Sequence, residues 1–403
     1  MLLAIAIIPL AAPKFWEKNR NKAVITALLA VPLGIFIIIN DWRALALEMH
    51  EYVSFIFLLG TLYIISGGIF LHGNIHARPR NNLIMMAVAT ALASVIGTTG
   101  ASMLMIRPII STNSERKYVV HSIIFSIFLV SNIGGALTPL GDPPLFMGYL
   151  RGVPFLWTFR LWDIWLPTCG LLLLIYYLTD NYFWGKESEA AKKLDARHEL
   201  PLKLNGKINF LWLAAVIAII FFGLGSPWRE LAMAALCVTS WFTTPKGVRE
   251  GHKFTFNPMI EVAVLFLGIF VTMVPALQFL RLHGADLGVT KPWHFFWAAG
   301  GLSSFLDNTP TYLVFLSLAE GLNLPRNVVL TSGTGISNII LAAISTGAVF
   351  MGANSYIGNG PNFMVKAIAE ENSIKMPSFF GYMFWSVAIL EPIFILITFI
   401  FFV

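Results

Sequence analysis

Residues 131–146 read SNIGGALTPLGDPPLF and sit in the middle of a long apolar run, yet hold three glycines, three prolines, Asn132, Thr138 and the acid Asp142. In lipid every backbone N–H and C=O needs a partner, so such a break survives only where it is buried in protein or lines a watery cavity. An unwound segment of this kind marks a binding site, because it frees carbonyls and helix ends for a ligand. Asp142 sharpens the point: a carboxylate at membrane depth costs roughly 2.5–3.5 kcal/mol on insertion scales. The plain alternative is a kinked core helix with an acid facing a neighbour.

The break has a counterpart 217 residues on, where residues 352–363 read GANSYIGNGPNF. Gly135 falls on Gly352, Ala136 on Ala353, Gly141 on Gly358, Pro144 on Pro361 and Phe146 on Phe363. Matched small and helix-breaking residues at a fixed offset are the mark of a duplicated unit.

With 57% hydrophobic and 12% charged residues over 403, the chain reads as an all-α polytopic membrane protein. Spans of about 20 residues would give roughly a dozen segments and leave no room for a soluble catalytic domain. Apolar runs fall near 2–12, 23–40, 52–71, 83–110, 118–150, 159–179, 208–224, 229–243, 258–280, 293–320, 328–370 and 379–403. The first is followed at once by KFWEKNRNK without a small-residue cleavage site, so it reads as a short first span rather than a signal peptide. Cys169 and Cys237 have no CxxC or Cys/His spacing, which leaves neither a disulfide framework nor a zinc site.

If the amino terminus starts outside, the loops 13–22, 72–82, 111–117, 180–207, 244–257 and 370–378 face the cytoplasm and hold most of the Lys and Arg. The net charge of +6 follows from that bias rather than from nucleic-acid binding. Tryptophans such as Trp157, Trp162, Trp165, Trp228, Trp241 and Trp293 cluster at run ends, as in an aromatic belt.

Two runs do not fit as single crossings. Residues 83–110 have basic loops on both sides and Ser94, Gly97, Thr98, Thr99 and Gly100 at their midpoint, the pattern of a re-entrant helical hairpin. Residues 293–320 repeat the plan with the tip SSFLDNTPT at 303–311, and at an offset of 210 Ser94 meets Ser304, Gly97 meets Asp307 and Thr99 meets Thr309. Run 52–71 goes inward and 258–280 outward, so the halves are inverted repeats. The expected divisions are scaffold helices at 1–51, a first repeat at 52–179 with its hairpin at 83–110 and broken helix at 118–150, and a solvated cytoplasmic linker at 180–207. Scaffold helices follow at 208–257, then a second repeat at 258–403 with its hairpin at 293–320, broken helix at 328–370 and last span.

Each half brings a hairpin tip to a broken helix. The first offers Thr98, Thr99, Asn132, Thr138 and Asp142; the second offers Asp307, Asn308, Thr309, Asn354, Ser355, Asn359 and Asn362. Hydroxyl, amide and carbonyl oxygens at helix ends suit a small hard cation such as sodium, with Thr99, Asp142, Asp307 and Asn308 its candidate ligands. Partial dehydration penalises a carboxylate's charged form, so Asp142 and Asp307 could exchange a proton for a metal ion. No cofactor is called for beyond the transported sodium and protons. Arg107, about two turns beyond the first tip, reads as a charge snorkelling to the interface. Glu261 and Glu391 are either proton relays or structural acids, while Asp163 and the histidines at 50, 72, 76, 121, 198, 252, 283 and 294 read as interfacial.

The motif SNIGGALTPLGDPP resembles the broken-helix signature of the ion transporter superfamily, which includes sodium–dicarboxylate symporters, arsenite efflux pumps and NhaD-type sodium–proton antiporters. PLFMGYLRGVPF and GNGPNFMVKAIAEE are similar to bacterial citrate transporters and sodium:proton antiporters. The pairs Gly141-Asp142 and Asp307-Asn308 resemble the antiporter branch, whereas GNGPNF at 358–363 is closer to arsenite and citrate relatives. The resemblance implies a homodimer in the bacterial inner membrane, a transport domain moving past a scaffold, and lipid together with a small ion or carboxylate as partners. It leaves two readings of the cargo: cation–proton antiport, or sodium- or proton-coupled carriage of citrate or another carboxylate. An intramembrane aspartyl protease needs GxGD and YD signatures that Leu140-Gly141-Asp142 and Leu306-Asp307 do not supply, and a channel does not explain duplicated hairpins.

Overall fold

The computed structural model describes residues 1–16, 18–195, 200–251, 254–322 and 327–403, which leaves His198 and His252 outside. The fold is mostly helical. Among the described residues five helices are long and apolar enough to cross a membrane: Asn19–Ser66, Val120–Leu137, Phe155–Gly185, Asn257–His283 and Phe379–Phe401.

Asn19–Ser66 contains the separate runs 23–40 and 52–71, joined through Asp41, whose backbone is non-helical (φ −155°, ψ 70°). The side chains at the joint explain the break. Asn40 Nδ2 donates back to Phe36 O at 2.8 Å, closing the first segment, and Asp41 Oδ1 accepts from Ala44 N at 3.2 Å, opening the second as an N-cap would. The chain reverses here. Asn19 bonds to Asn257 and Asp41 to Gln278, so the first segment runs alongside Asn257–His283 in the same direction. Tyr52 then donates to Ala263 O and Tyr63 to Thr255 O, so the second segment runs back. Phe55 packs on Phe266 and Phe270 inside this three-segment layer. Glu261 is held at 2.6 Å by the buried Lys22, an ion pair that fits the structural rather than the relay reading.

Two pairs of helices carry the tips. Pro79–Ile96 and Thr98–Thr112 meet at Gly97, whose φ of +82° is left-handed backbone that a side chain would resist. Pro292–Ser303 and Asn308–Glu320 are joined by residues 304–307. Each pair packs on an interrupted helix. Val120–Leu129 gives way to a short 3-10 turn, Ile133–Leu137, before Pro143–Leu150 resumes. Asn338–Met351 runs through the turn Gly352–Asn354 to Gly360–Glu371. The second interrupted helix starts ten residues later than its apolar run, because residues 328–337 form a small antiparallel hairpin, Val328–Val329 with Gly335–Ile336, turning at Gly333 (φ +77°).

The segment after residue 179 is less solvated than its charge suggests. Trp162–Gly185 carries the helix six residues past the expected boundary, and Asp180 is buried between Arg116 (2.6 Å) and His121 (2.8 Å). His121 is therefore a core group rather than an interfacial one. His76 pairs with the buried Asp195, and strand Leu200–Asn205 lies antiparallel to Phe70–Asn74. The linker is thus bound to the first helix pair's entrance.

Candidate functional site

Gly141 and Gly358 let each break fold tightly on itself. A Cβ at Gly141 would stand 2.0 Å from Gly135 O, and one at Gly358 would stand 2.5 Å from Gly352 O. The tips are then fastened by the same bonds in both halves. Ser94 Oγ donates to Gly134 O and Ser304 Oγ to Met351 O. Thr138 Oγ1 donates to Ser94 O and Ser355 Oγ to Ser304 O. Leu140 N donates to Thr138 Oγ1 and Ile357 N to Ser355 Oγ. Every pair stands at the offsets of 210 and 217 that align the two sequences.

What these fastenings position is Asp142, which is 1% exposed. Its Oδ1 accepts from Thr98 Oγ1 at 2.8 Å and from Asn359 Nδ2 at 3.3 Å, and its Oδ2 accepts from Asn308 Nδ2. Thr98 and Asn308 open the second helices of the two pairs, while Asp142 and Asn359 immediately precede the helices that resume after the two breaks. Four helix N-termini therefore converge on one carboxylate. Their partial positive charge and the neutral donors hold it without any cationic partner. Among the described residues no Lys, Arg or His is ion-paired with Asp142 or Asp307.

An amide network extends from this centre. Asn359 Nδ2 also reaches Ser131 O (3.0 Å) and Asn132 Oδ1 (3.2 Å). Asn132 Nδ2 donates to Asn362 Oδ1 at 2.7 Å, and Asn362 Nδ2 donates to the carbonyls of Gly352 and Ser355. Asn308 Oδ1, Thr309 Oγ1 and Asn354 Oδ1 are buried oxygens with no hydrogen-bond partner. Unpaired buried oxygens are costly unless something electropositive meets them, and a small cation fits that need.

The expected residues divide accordingly. Thr98, Asn132, Asp142, Asn308, Asn359 and Asn362 form one continuous cluster. Asp307 is half-buried next to it, accepting from Thr309 N at 3.0 Å as the cap of Asn308–Glu320. Thr138 and Ser355 are fastening groups turned to the tips' carbonyls. Thr99 lines a cleft between the first tip and Leu58, Tyr63 and Pro258, with no hydrogen bond to Asp142. Asn354 donates to Ser304 Oγ (3.0 Å) and to Glu391 Oε1 (2.9 Å), so Glu391 adjoins the second break. Sequence reasoning left out the fastening roles of Ser94 and Ser304, although their alignment at the offset was a usable signal.

A family model described as "Putative citrate transport" matches residues 1–402. The chain is also 25% identical over 377 residues to "Sodium/proton antiporter 1" of Arabidopsis thaliana, an alignment that covers 82% of this chain and 63% of that protein. The chain thus spans less than two thirds of that relative's length.

Proposed function

The chain belongs to the citrate transport family whose model it matches, as a multi-pass membrane transporter, and from that premise we propose that it exchanges a small monovalent cation, sodium or lithium, for protons. The observation that carries this reading is a buried carboxylate held only by neutral donors, at the meeting of four helix ends. Asp142 in its charged form would hold the cation with Asn308, Thr98 and Asn359 around it, and in its neutral form would carry the proton back. Only one state can be occupied at a time, which is the requirement for coupled exchange. Asp307, Thr309, Asn354 and Asn362 complete the oxygen lining, and Thr99 lies on the approach from the cleft.

The architecture proposed with it is a pair of inverted repeats whose helix pairs enter the bilayer and return, giving alternating access by movement of the tips and breaks past the layer built from Asn19–Ser66 and Asn257–His283. The recurrence of fastening bonds at fixed offsets supports duplication. A homodimer in the bacterial inner membrane, with residues 180–207 on the cytoplasmic side, completes the reading.

A carboxylate carrier is the second reading, and two observations favour it: the family's description, and the helix N-termini, which are anion sites in general. Asp142 already occupies that positive centre, and no arginine stands by to clamp a second anion.

The deciding experiment uses purified protein in liposomes under an imposed pH gradient, adding sodium, lithium, potassium or citrate in turn. Gradient collapse with sodium or lithium alone supports antiport; collapse with citrate alone, or only with citrate and sodium together, reverses the ranking. Within the antiport reading, Thr98→Val keeps the shape of the site but removes a donor worth about 1.5 kcal/mol to a charged acceptor. Cation affinity in the same assay is expected to fall about tenfold, with the maximal rate less affected.

A further inference from the structure

The helices that begin at the Asp142–Asn308 hydrogen bond end together in a second cluster. Pro143–Leu150 is capped by Arg151, and Asn308–Glu320 ends in Glu320. Arg151, 3% exposed, donates through Nη2 to Glu48 Oε1 at 2.7 Å and through Nε to Glu51 Oε2 at 3.0 Å. Glu320 meets Arg281 at 2.6 Å and accepts from Ser332 Oγ at 3.0 Å. Glu48 and Glu51 lie on the returning segment of Asn19–Ser66, and Arg281 lies near the end of Asn257–His283. Each site helix therefore contributes one charge, and the layer against which it packs contributes the opposite one. Thr331 N and Oγ1 both donate to Arg151 O and fix the arginine's own backbone.

The charges do not balance. Three carboxylates, Glu48, Glu51 and Glu320, face two guanidiniums, Arg151 and Arg281, and the two ion pairs influence each other electrostatically. Glu48 is 6% exposed and its Oε2 is buried with no hydrogen-bond partner. Among the described residues no other Lys, Arg or His is ion-paired into the cluster. An uncompensated buried charge is among the most costly features a protein can hold, and here a single proton shared between Glu48 and Glu51 removes it.

We propose that the Glu48–Glu51 pair is a proton-binding site separate from the exchange site, and that its proton keeps the ends of the two site helices clasped to the layer of Asn19–Ser66 and Asn257–His283. With the proton bound, Arg151 and Arg281 are each matched by one negative charge and the clasp closes. Without it the excess carboxylate is better served by water, so the clasp opens. The closed form binds the proton more tightly, and by linkage a rising pH shifts the population toward the open form. Since the two clasped helices start at Asp142 and Asn308, their release frees the site to move. This inference does not depend on which cargo is carried.

The test reads conformation rather than transport. Spin labels are placed at two exposed positions on the two sides of the clasp, Leu156→Cys and Leu282→Cys, in a chain whose two cysteines are replaced by alanine. Interlabel distances are measured in sodium-free, citrate-free liposomes from pH 5 to pH 9. The expected result is one short-distance population at low pH that gives way to a longer one as pH rises. Glu48→Gln, which removes the excess charge permanently, is expected to keep the short distance across the range. A population that does not change with pH in the wild-type background, or a Glu48→Gln protein that titrates as the parent does, overturns the proposal. Should Glu48→Gln not fold, Glu51→Gln serves with the same expectations, and the parent titration stands alone as a test.

Discussion

Replacing Asp142 by asparagine is expected to abolish coupled exchange, by at least a hundredfold in the liposome assay, while leaving a folded protein. The two side chains have the same shape, and asparagine is as good before a helix N-terminus as aspartate, so Pro143–Leu150 still starts where it does. What changes is chemical. Asp142 accepts from Thr98, Asn359 and Asn308, whereas an amide offers one acceptor oxygen and turns its NH2 toward another donor. That mismatch costs about 1–3 kcal/mol, seen as a lowered Tm, but the exchangeable charge is gone altogether. Asp307→Asn is expected to remove coupling too with less effect on stability, because its capping bond to Thr309 N survives the change. Undiminished sodium-driven proton movement in both proteins would take the aspartates out of the mechanism.

The second large effect is steric. Gly141→Ala brings a methyl to 2.0 Å from Gly135 O and 2.8 Å from Gly135 C, both backbone atoms. Neither side can yield cheaply, since Gly141 O accepts from Thr98 N at 2.8 Å and Gly135 N is bonded to Asn132 O. Overpacking of buried sites typically costs 1–3 kcal/mol and more where backbone must move. Gly141→Ala is therefore expected to lower Tm by several degrees and to cut transport at least tenfold by displacing Thr98 from Asp142. Gly301→Ala is the control: it lies inside Pro292–Ser303 with nothing within 4 Å of the added carbon, and should be neutral or stabilising by up to about 1 kcal/mol. Equal losses in the two proteins would show that glycine content, not the close approach at Gly141, is what matters.

Breaks and tips were legible in the sequence because helix-breaking residues inside apolar runs have few explanations. Gly97, residues 130–142 and residues 352–359 interrupt helices as their composition requires. The convergence of Thr98, Asn308 and Asn359 on Asp142 lay beyond it: a fixed offset pairs equivalent positions, but not the contacts that cross from one half to the other. Buried ion pairs were least visible. Glu48, Glu51 and Arg151 read as loop charges because a charge matched by a distant partner leaves no period in the chain. Asp180 and His121 escaped for the same reason. The late start of the second interrupted helix at Asn338 reflects Gly333 and Gly335, which an apolar count passes over although they favour a turn.

Asp142 and Asn359 occupy twin positions, yet one is an acid and the other its amide. Two aspartates there would have to share a single proton to lie so close, and the pair could never be fully charged. The amide solves this by donating to the acid whichever way the rest of the site is filled. A chain built by copying one unit twice has thus divided a single task between the copies: one keeps the charge, and the other has become its permanent neutral companion.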